Sequence, residues 1–239
     1  MALPLSQPLR NLTRGLIDFV FPSHCYVCNV HLPDPEEYIC PGCLDSLALL
    51  PEPFCAECKE IKINQEPHRR CNTFSQRAYA LLNYDEKTAI LIHKFKYENR
   101  MGLGEILAGK LAFRLTQVGF CDFDLVAPVP LYHSRKRERG YNQAELIAKV
   151  ISSINGWLLS AKILKRIRNT QDQTHLSAPE RRENVKGAFK VCGGIDITGK
   201  KVLLVDDVIT TGATLEECAR SLKEDGAKSV SACTLARGV

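Results

Sequence analysis

The sequence predicts an α/β protein, a doubly wound parallel sheet preceded by a small cysteine-rich domain. Three observations carry this. From residue 76 onward, strand-like apolar runs alternate with helical patterns, the order expected of parallel strands joined by crossover helices. Within that region, residues 201–214 join a buried run, a pair of acids and a loop of small residues. Before it, seven of the eleven cysteines fall between Cys25 and Cys71. The composition therefore divides the chain into residues 1–75 and 76–239.

With 239 residues, 45% hydrophobic and 25% charged, the chain has the balance of an ordinary globular protein. The net charge of +5 is uneven. Residues 1–70 carry six Lys/Arg against nine Asp/Glu, and residues 71–239 carry 26 against 18. The basic surplus lies in the second part and suits polyanionic ligands.

At the N-terminus, Leu12, Leu16, Ile17, Phe19 and Val20 can share one helical face. The stretch is broken by Arg14 and Asp18, is too short to cross a bilayer and has no cleavage pattern. Neither membrane insertion nor a signal peptide is expected, and the expected location is cytoplasmic. Six of the following cysteines form C-x2-C pairs: Cys25/Cys28, Cys40/Cys43 and Cys55/Cys58. Two cysteines three apart on a tight turn bind one tetrahedral ion from the same side, and a second such turn completes the shell. Cys25, Cys28, Cys40 and Cys43 thus read as a zinc ribbon. The third pair finds partners in His68 and Cys71, giving a second Cys/His zinc site. With few large apolar residues here, metal is expected to supply much of the folding free energy, so chelation should unfold residues 22–75 and spare the rest.

The second part opens with a strand over 77–84, then helices over 86–97 and 101–118. A strand over 124–130 ends in a proline-stiffened loop, and a helix follows over 141–154. Val202–Val205 is a short apolar run of the kind found in a central parallel strand covered on both faces. A helix over 215–225 stops at Gly226, and a last strand covers 229–235. Cys121, Cys192, Cys218 and Cys233 lack metal spacing and read as small buried apolar residues.

At the end of the central strand stand Asp206 and Asp207, where ligands of open α/β sheets bind. Thr210, Thr211, Gly212, Ala213 and Thr214 then offer backbone N–H groups and hydroxyls at a helix N-terminus, an anion cradle. Phosphate alone would repel two carboxylates, whereas a ribose phosphate suits both: the acids accept hydrogen bonds from sugar hydroxyls while the loop grips the phosphate. The strand, acid pair and Thr-Thr-Gly loop resemble the phosphoribosyl-pyrophosphate motif of type I phosphoribosyltransferases.

Three basic segments surround this motif. Residues 133–143 follow the strand over 124–130 and leave the same sheet edge if both strands are parallel. Arg135, Lys136, Arg137 and Arg139 there could fork onto a pyrophosphate, with Gly140 permitting close approach. Lys94 and Lys96 are either ordinary cations at a helix C-terminus or, for Lys96 with Tyr97, groups that reach the ligand. Residues 165–189 form a long polar stretch with one short helix begun by Ser177, a candidate lid.

Nearly the whole chain resembles the ComF family. The resemblance rests on residues 18–22 before Cys25, the cysteine pairs, residues 93–97, 128–131 and 135–143, Thr170, Leu176, Ser177, Arg181, residues 184–189 and the phosphoribosyl motif. It implies a zinc ribbon fused to a type I phosphoribosyltransferase-like domain, working in natural transformation beside a ComFA-like helicase that handles single-stranded DNA. His68 departs from the pattern, because members with two ribbons commonly carry C-x2-C there. As an enzyme the chain would displace pyrophosphate from phosphoribosyl pyrophosphate with Mg²⁺, using Asp206 and Asp207. The alternative is a non-catalytic module that binds a phosphosugar or single-stranded DNA. The acceptor is not legible.

Overall fold

The computed structural model describes residues 23–34, 37–56, 60, 75–170, 176–192 and 194–238. They group into two compact units divided between Leu47 and Ala48.

The first unit contains two cysteine turns. A hairpin closes with the His24–His31 bridge, and Cys25 N–H donates to Val30 O (2.8 Å). Helix α1 (Pro41–Asp45) starts at Cys40, whose Sγ accepts from Cys43 N–H (3.4 Å).

The second unit is built on a five-stranded sheet of β1 (Ser75–Asn83), β2 (Leu125–Pro128), β3 (Leu158–Leu159), β6 (Lys201–Ile209) and β7 (Ser229–Arg237). The spatial order is β1-β7-β6-β2-β3, with every neighbouring pair parallel. β2 is buried at every position, β6 over Val202–Val205 and β7 over Val230–Ala236, as expected where helices cover both faces. Between the strands run α2 (Glu86–Tyr97), α3 (Met101–Gln117), α4 (His133–Arg139), α5 (Gln143–Asn155), α6 (Ala178–Val185) and α7 (Ala213–Glu224). Helix α5 packs on α3, β2 and β6, and α7 packs on β6, β7 and α6. Before β1, residues 48–54 lie antiparallel against its free edge. Leu50 N–H donates to Leu81 O (2.9 Å), and Phe54 and Ala78 exchange two hydrogen bonds (2.8 and 2.9 Å). An edge that would otherwise template further pairing is thereby covered.

Several expectations are corrected. The central strand does not stop at Val205. It continues through both acids to Ile209, because the long neighbour β7 keeps pairing with it, Asp206 opposite Thr234 and Ile209 opposite Arg237. The following helix starts at Ala213 rather than Leu215. The basic run after β2 is helical over seven residues. Within the expected long loop, β4 (Leu164–Arg166) and β5 (Phe189–Val191) form an antiparallel hairpin. Cys218 and Cys233 are buried as expected, but Cys121 is exposed and Cys192 half-buried.

Candidate functional site

Parallel pairing of β2 with β6 sets Pro128 beside Val205, so the chain leaves both strands at the same edge. One exit is the acid pair and phosphate loop, the other the basic helix α4. Along a strand successive side chains point to opposite faces, which separates the two acids. Asp207, 9% exposed, meets Lys96 Nζ through Oδ1 at 2.9 Å. Burial works against the Lys96 ammonium, but the charge and hydrogen bond of Asp207 outweigh it and hold the pKa above the ordinary lysine value. Asp206 lies on the other side, where its charge reaches Arg166 and Cys218. Removal from water and the neighbouring Asp207 carboxylate push Asp206 up to about 7. Lys96 thus pairs with one acid, while burial and the adjacent carboxylate raise the pKa of the other.

Lys96 reaches the site because α2 ends there. Tyr141 Oη donates to Phe95 O (2.5 Å), Gln143 Nε2 to Lys96 O (3.4 Å), and Asn142 Nδ2 to Val129 O (3.1 Å). Residues 141–143 therefore fasten the last turn of α2 to the exit of β2 and the start of α5. Lys94, by contrast, pairs with Glu98 at 2.9 Å on the surface. On α4, Arg135 and Arg139 lie one turn apart and are half-buried, whereas Lys136 and Arg137 are exposed. Arg139 stacks over Tyr97 at 5.3 Å, and Lys136 pairs with Glu145 at 3.6 Å. Gly140 caps the helix at φ +76°, with open space where a side chain would stand.

The phosphate loop encloses a cavity of about 40 Å³ lined by Asp206 and residues 208–215. Gly212 has φ +80°, and a Cβ there would come within 2.9 Å of Ala56 O, so two constraints select glycine. Thr211 Oγ1 accepts from Ala213 N–H (3.4 Å) at the start of α7. The 12-residue α7 aims its positive N-terminal end at the loop. A larger cavity of about 670 Å³ lies behind the same loop, between α6 and α7.

In the first unit, the Sγ atoms of Cys25, Cys28, Cys40 and Cys43 all lie within 4.8 Å of one another. Cys28 and Cys40 stand 3.7 Å apart, close to the ~3.8 Å edge of a tetrahedron with 2.3 Å zinc–sulfur bonds. Cys40 N–H points at Cys25 Sγ (3.4 Å), the outer hydrogen bond that orients a thiolate ligand. The donor set fits zinc. Cys55 is buried in the second unit; Cys58, His68 and Cys71 lie outside the described residues.

Residues 101–238 match the phosphoribosyl transferase domain, and residues 16–73 match the double zinc ribbon domain. Competence protein F of Haemophilus influenzae is 32% identical over 231 residues, covering 91% of this chain and 98% of its own length. The chain belongs to the ComF family. DNA utilization protein YhgH of Salmonella typhimurium is 28% identical over 224 residues (90% of this chain, 97% of that protein). Competence protein ComFC of Bacillus subtilis is 27% identical over 214 residues (89% and 83%). Among the described residues of this ComF-family protein no helix is long and apolar enough to cross a membrane.

The phosphoribosyl motif, Lys96, Arg135 and Arg139 of this family member gather at one sheet edge. Arg181 donates to Thr210 of the loop and Arg166 feels the Asp206 charge; in the sequence Arg166 marks a basic stretch suited to nucleic acid and Arg181 a position of the family resemblance, and neither is read there as a phosphoribosyl pyrophosphate ligand. Arg166 belongs to a hairpin whose strands are over twenty residues apart, and Arg181 is one of several charges on a polar helix, so neither has a local signal.

Proposed function

We propose that this ComF-family protein binds phosphoribosyl pyrophosphate with Mg²⁺ and transfers the phosphoribosyl group to a nucleophile. The observation that carries the reading is the arrangement at the end of β6: Asp207 paired with Lys96, Asp206 beside it, and a small cavity at the N-terminus of α7. In this reading the acids accept hydrogen bonds from the ribose hydroxyls, and residues 210–214 hold the 5′-phosphate. Arg135 and Arg139 hold the pyrophosphate, with Lys136 and Arg137 adding positive potential from the outer face of α4. The nucleophile forms a bond to C1 as the bond from C1 to pyrophosphate oxygen breaks, and the pyrophosphate leaves with that electron pair. The two carboxylates stabilise the positive charge that develops on the sugar. Mg²⁺ fits the oxygen donors of Asp206 and Asp207 and, when bound, neutralises charge on the departing pyrophosphate.

The names of the relatives support a place in DNA uptake and natural transformation. In that setting the protein works in the cytoplasm beside a ComFA-like helicase on single-stranded DNA, with zinc at Cys25, Cys28, Cys40 and Cys43 and a second zinc at Cys55, Cys58, His68 and Cys71. The test is calorimetric titration with phosphoribosyl pyrophosphate and Mg²⁺, paired with pyrophosphate-release assays over nucleobases and amines. Asp206→Asn/Asp207→Asn is expected to weaken binding at least about a hundredfold, because two charge-assisted contacts are lost. Unchanged binding in that variant refutes the reading. Salt-dependent binding of single-stranded DNA that needs Arg135 and ignores the acids would favour the non-catalytic module instead.

A further inference from the structure

We propose that Arg181, contributed by α6, is the cationic ligand of the 5′-phosphate at the carboxyl end of β6. The inference rests on the phosphoribosyl pyrophosphate reading above and adds to it a residue from outside the motif.

The loop itself brings no positive charge. Its cavity of about 40 Å³ is lined by Asp206 and residues 208–215, none of which is a cation. Backbone N–H groups and the end of α7 supply partial charges only, and Asp206 adds a negative one. A phosphate monoester carries about 1.5–2 negative charges at pH 7, so its seat calls for a full positive charge beside the partial ones. Arg181 stands at the first residue of that loop, where its Nη1 donates to Thr210 Oγ1 at 3.1 Å. A Cβ on Gly238 would come within 3.1 Å of Thr210 Cγ2, so the Thr210 methyl faces Gly238 while its hydroxyl faces Arg181. A hydroxyl that accepts from a guanidinium still has its own proton to donate, and a phosphate oxygen at the loop can take it.

Most of the Arg181 fork is unused. Thr210 takes one of its five N–H donors, its Nε is buried without a hydrogen-bond partner, and among the described residues it forms no ion pair. The acids beside it on α6 are engaged elsewhere: Glu180 accepts from Ser177 N–H (2.8 Å), and Glu183 pairs with Lys186 (3.7 Å). A half-buried guanidinium short of partners is costly, and an oxyanion relieves the cost. Buried, unbonded Nε atoms also occur at Arg77, Arg114 and Arg166, but among the described residues none of those three hydrogen-bonds the loop. Two further arginines near the loop are committed: Arg220 pairs with Glu217 and Glu224, both at 2.5 Å, and Arg237 stacks over Phe54 at 4.8 Å. The helix that carries Arg181 is fastened in place. A capping box of Ser177 and Glu180 starts it, and α7 packs against it. At its other end Arg168 donates to Asn184 O (3.0 Å) and Lys186 O (2.7 Å), and Glu217 of α7 accepts from Gly187 N–H (2.6 Å). The contact to Thr210 is therefore made from an anchored helix.

Ribose 5-phosphate and inorganic pyrophosphate are the probes, each titrated calorimetrically with Mg²⁺ into the full chain at constant ionic strength. Ribose 5-phosphate carries the group assigned to Arg181, and pyrophosphate the group assigned to Arg135 and Arg139. Arg181→Gln is expected to weaken ribose 5-phosphate at least about tenfold, or about 1.4 kcal/mol, and to leave pyrophosphate within about twofold. Arg181→Lys keeps the charge without the fork; it is expected to weaken ribose 5-phosphate less, and it serves where the glutamine variant fails a thermal-melt check. Unchanged ribose 5-phosphate binding in the folded variant overturns the proposal. A loss shared equally by both probes shows a structural effect, and a loss of pyrophosphate alone places Arg181 in the pyrophosphate subsite; either result overturns it as well. If the wild-type protein binds no ribose 5-phosphate, that failure belongs to the phosphoribosyl pyrophosphate reading. Inorganic phosphate titrated into the free protein then reads the Arg181 seat alone, and the proposal falls unless one equivalent binds and the variant loses it.

Discussion

Asp206 shows how one residue can couple the site to pH. Its ordinary pKa of 3.8 rises to about 7 in the fold, through burial first and the Asp207 charge second. Between those values the folded protein holds a proton that the unfolded chain releases. Stability therefore falls as pH rises from about 4 through 7 and levels off above that. The lowered carboxylates Asp85, Glu145 and Glu217 act in the opposite sense, but only below their ordinary values of 3.8 to 4.5, so the two effects separate. We expect the wild-type protein to lose stability from pH 5 to 8 relative to Asp206→Asn, which cannot release this proton. Urea midpoints measured across that window check it, and parallel curves for the two proteins would refute it. Since the proposed ligand and Mg²⁺ require the charged acid, their affinity should rise over the same interval.

At the scale of elements, the position of Lys96 depends on how α2 and α3 meet. Gly104 of α3 approaches so closely that a Cβ there would fall 2.2 Å from the Phe95 ring, the residue before Lys96. Gly104→Ala is expected to cost about 1–3 kcal/mol through overpacking and to shift the end of α2 away from Asp207. Urea unfolding and ligand titration should both register the change; a neutral substitution would mean that Phe95 can turn aside freely. This contact was not legible in the sequence, because it joins two helices through a glycine whose close neighbour is set by tertiary packing rather than by local pattern. What was legible had local causes. Apolar runs and helix periods located β1, α2, α3, α5, α7 and β7, and the acid pair with its Thr-Thr-Gly loop marked the end of β6. What escaped had non-local causes. The length of β6 is set by β7, the β4–β5 hairpin pairs residues over twenty positions apart, and α4 has no apolar stripe to announce it. Arg166 and Arg181 gain their meaning from the same distant pairings.

At the scale of the whole molecule, the two units differ in what holds them together. Among the described residues up to Leu47, the buried apolar side chains are Cys25, Leu32, Ile39 and Leu47. With Cys25 turned to the thiol cluster, Leu32, Ile39 and Leu47 are left as a small apolar core among the described residues, of the kind that small domains supplement with a metal. Zinc at the four thiols supplies the balance in small domains of this kind. Residues 48–56 are in a different position. They follow the first two cysteine pairs, yet Leu50, Phe54 and Ala56 belong to the main core and the backbone pairs with β1. The composition places the domain boundary near residue 75, whereas the contacts divide the chain at Leu47. Chelation is therefore expected to strip amide protection from residues 23–47 and leave residues 48–54 protected with the sheet. Hydrogen exchange read by mass spectrometry, before and after a strong zinc chelator, resolves the two outcomes. Loss running on through residues 48–54 would show that the covered edge of β1 depends on the ribbon, and intact protection in residues 23–47 would show that metal does not hold the first unit.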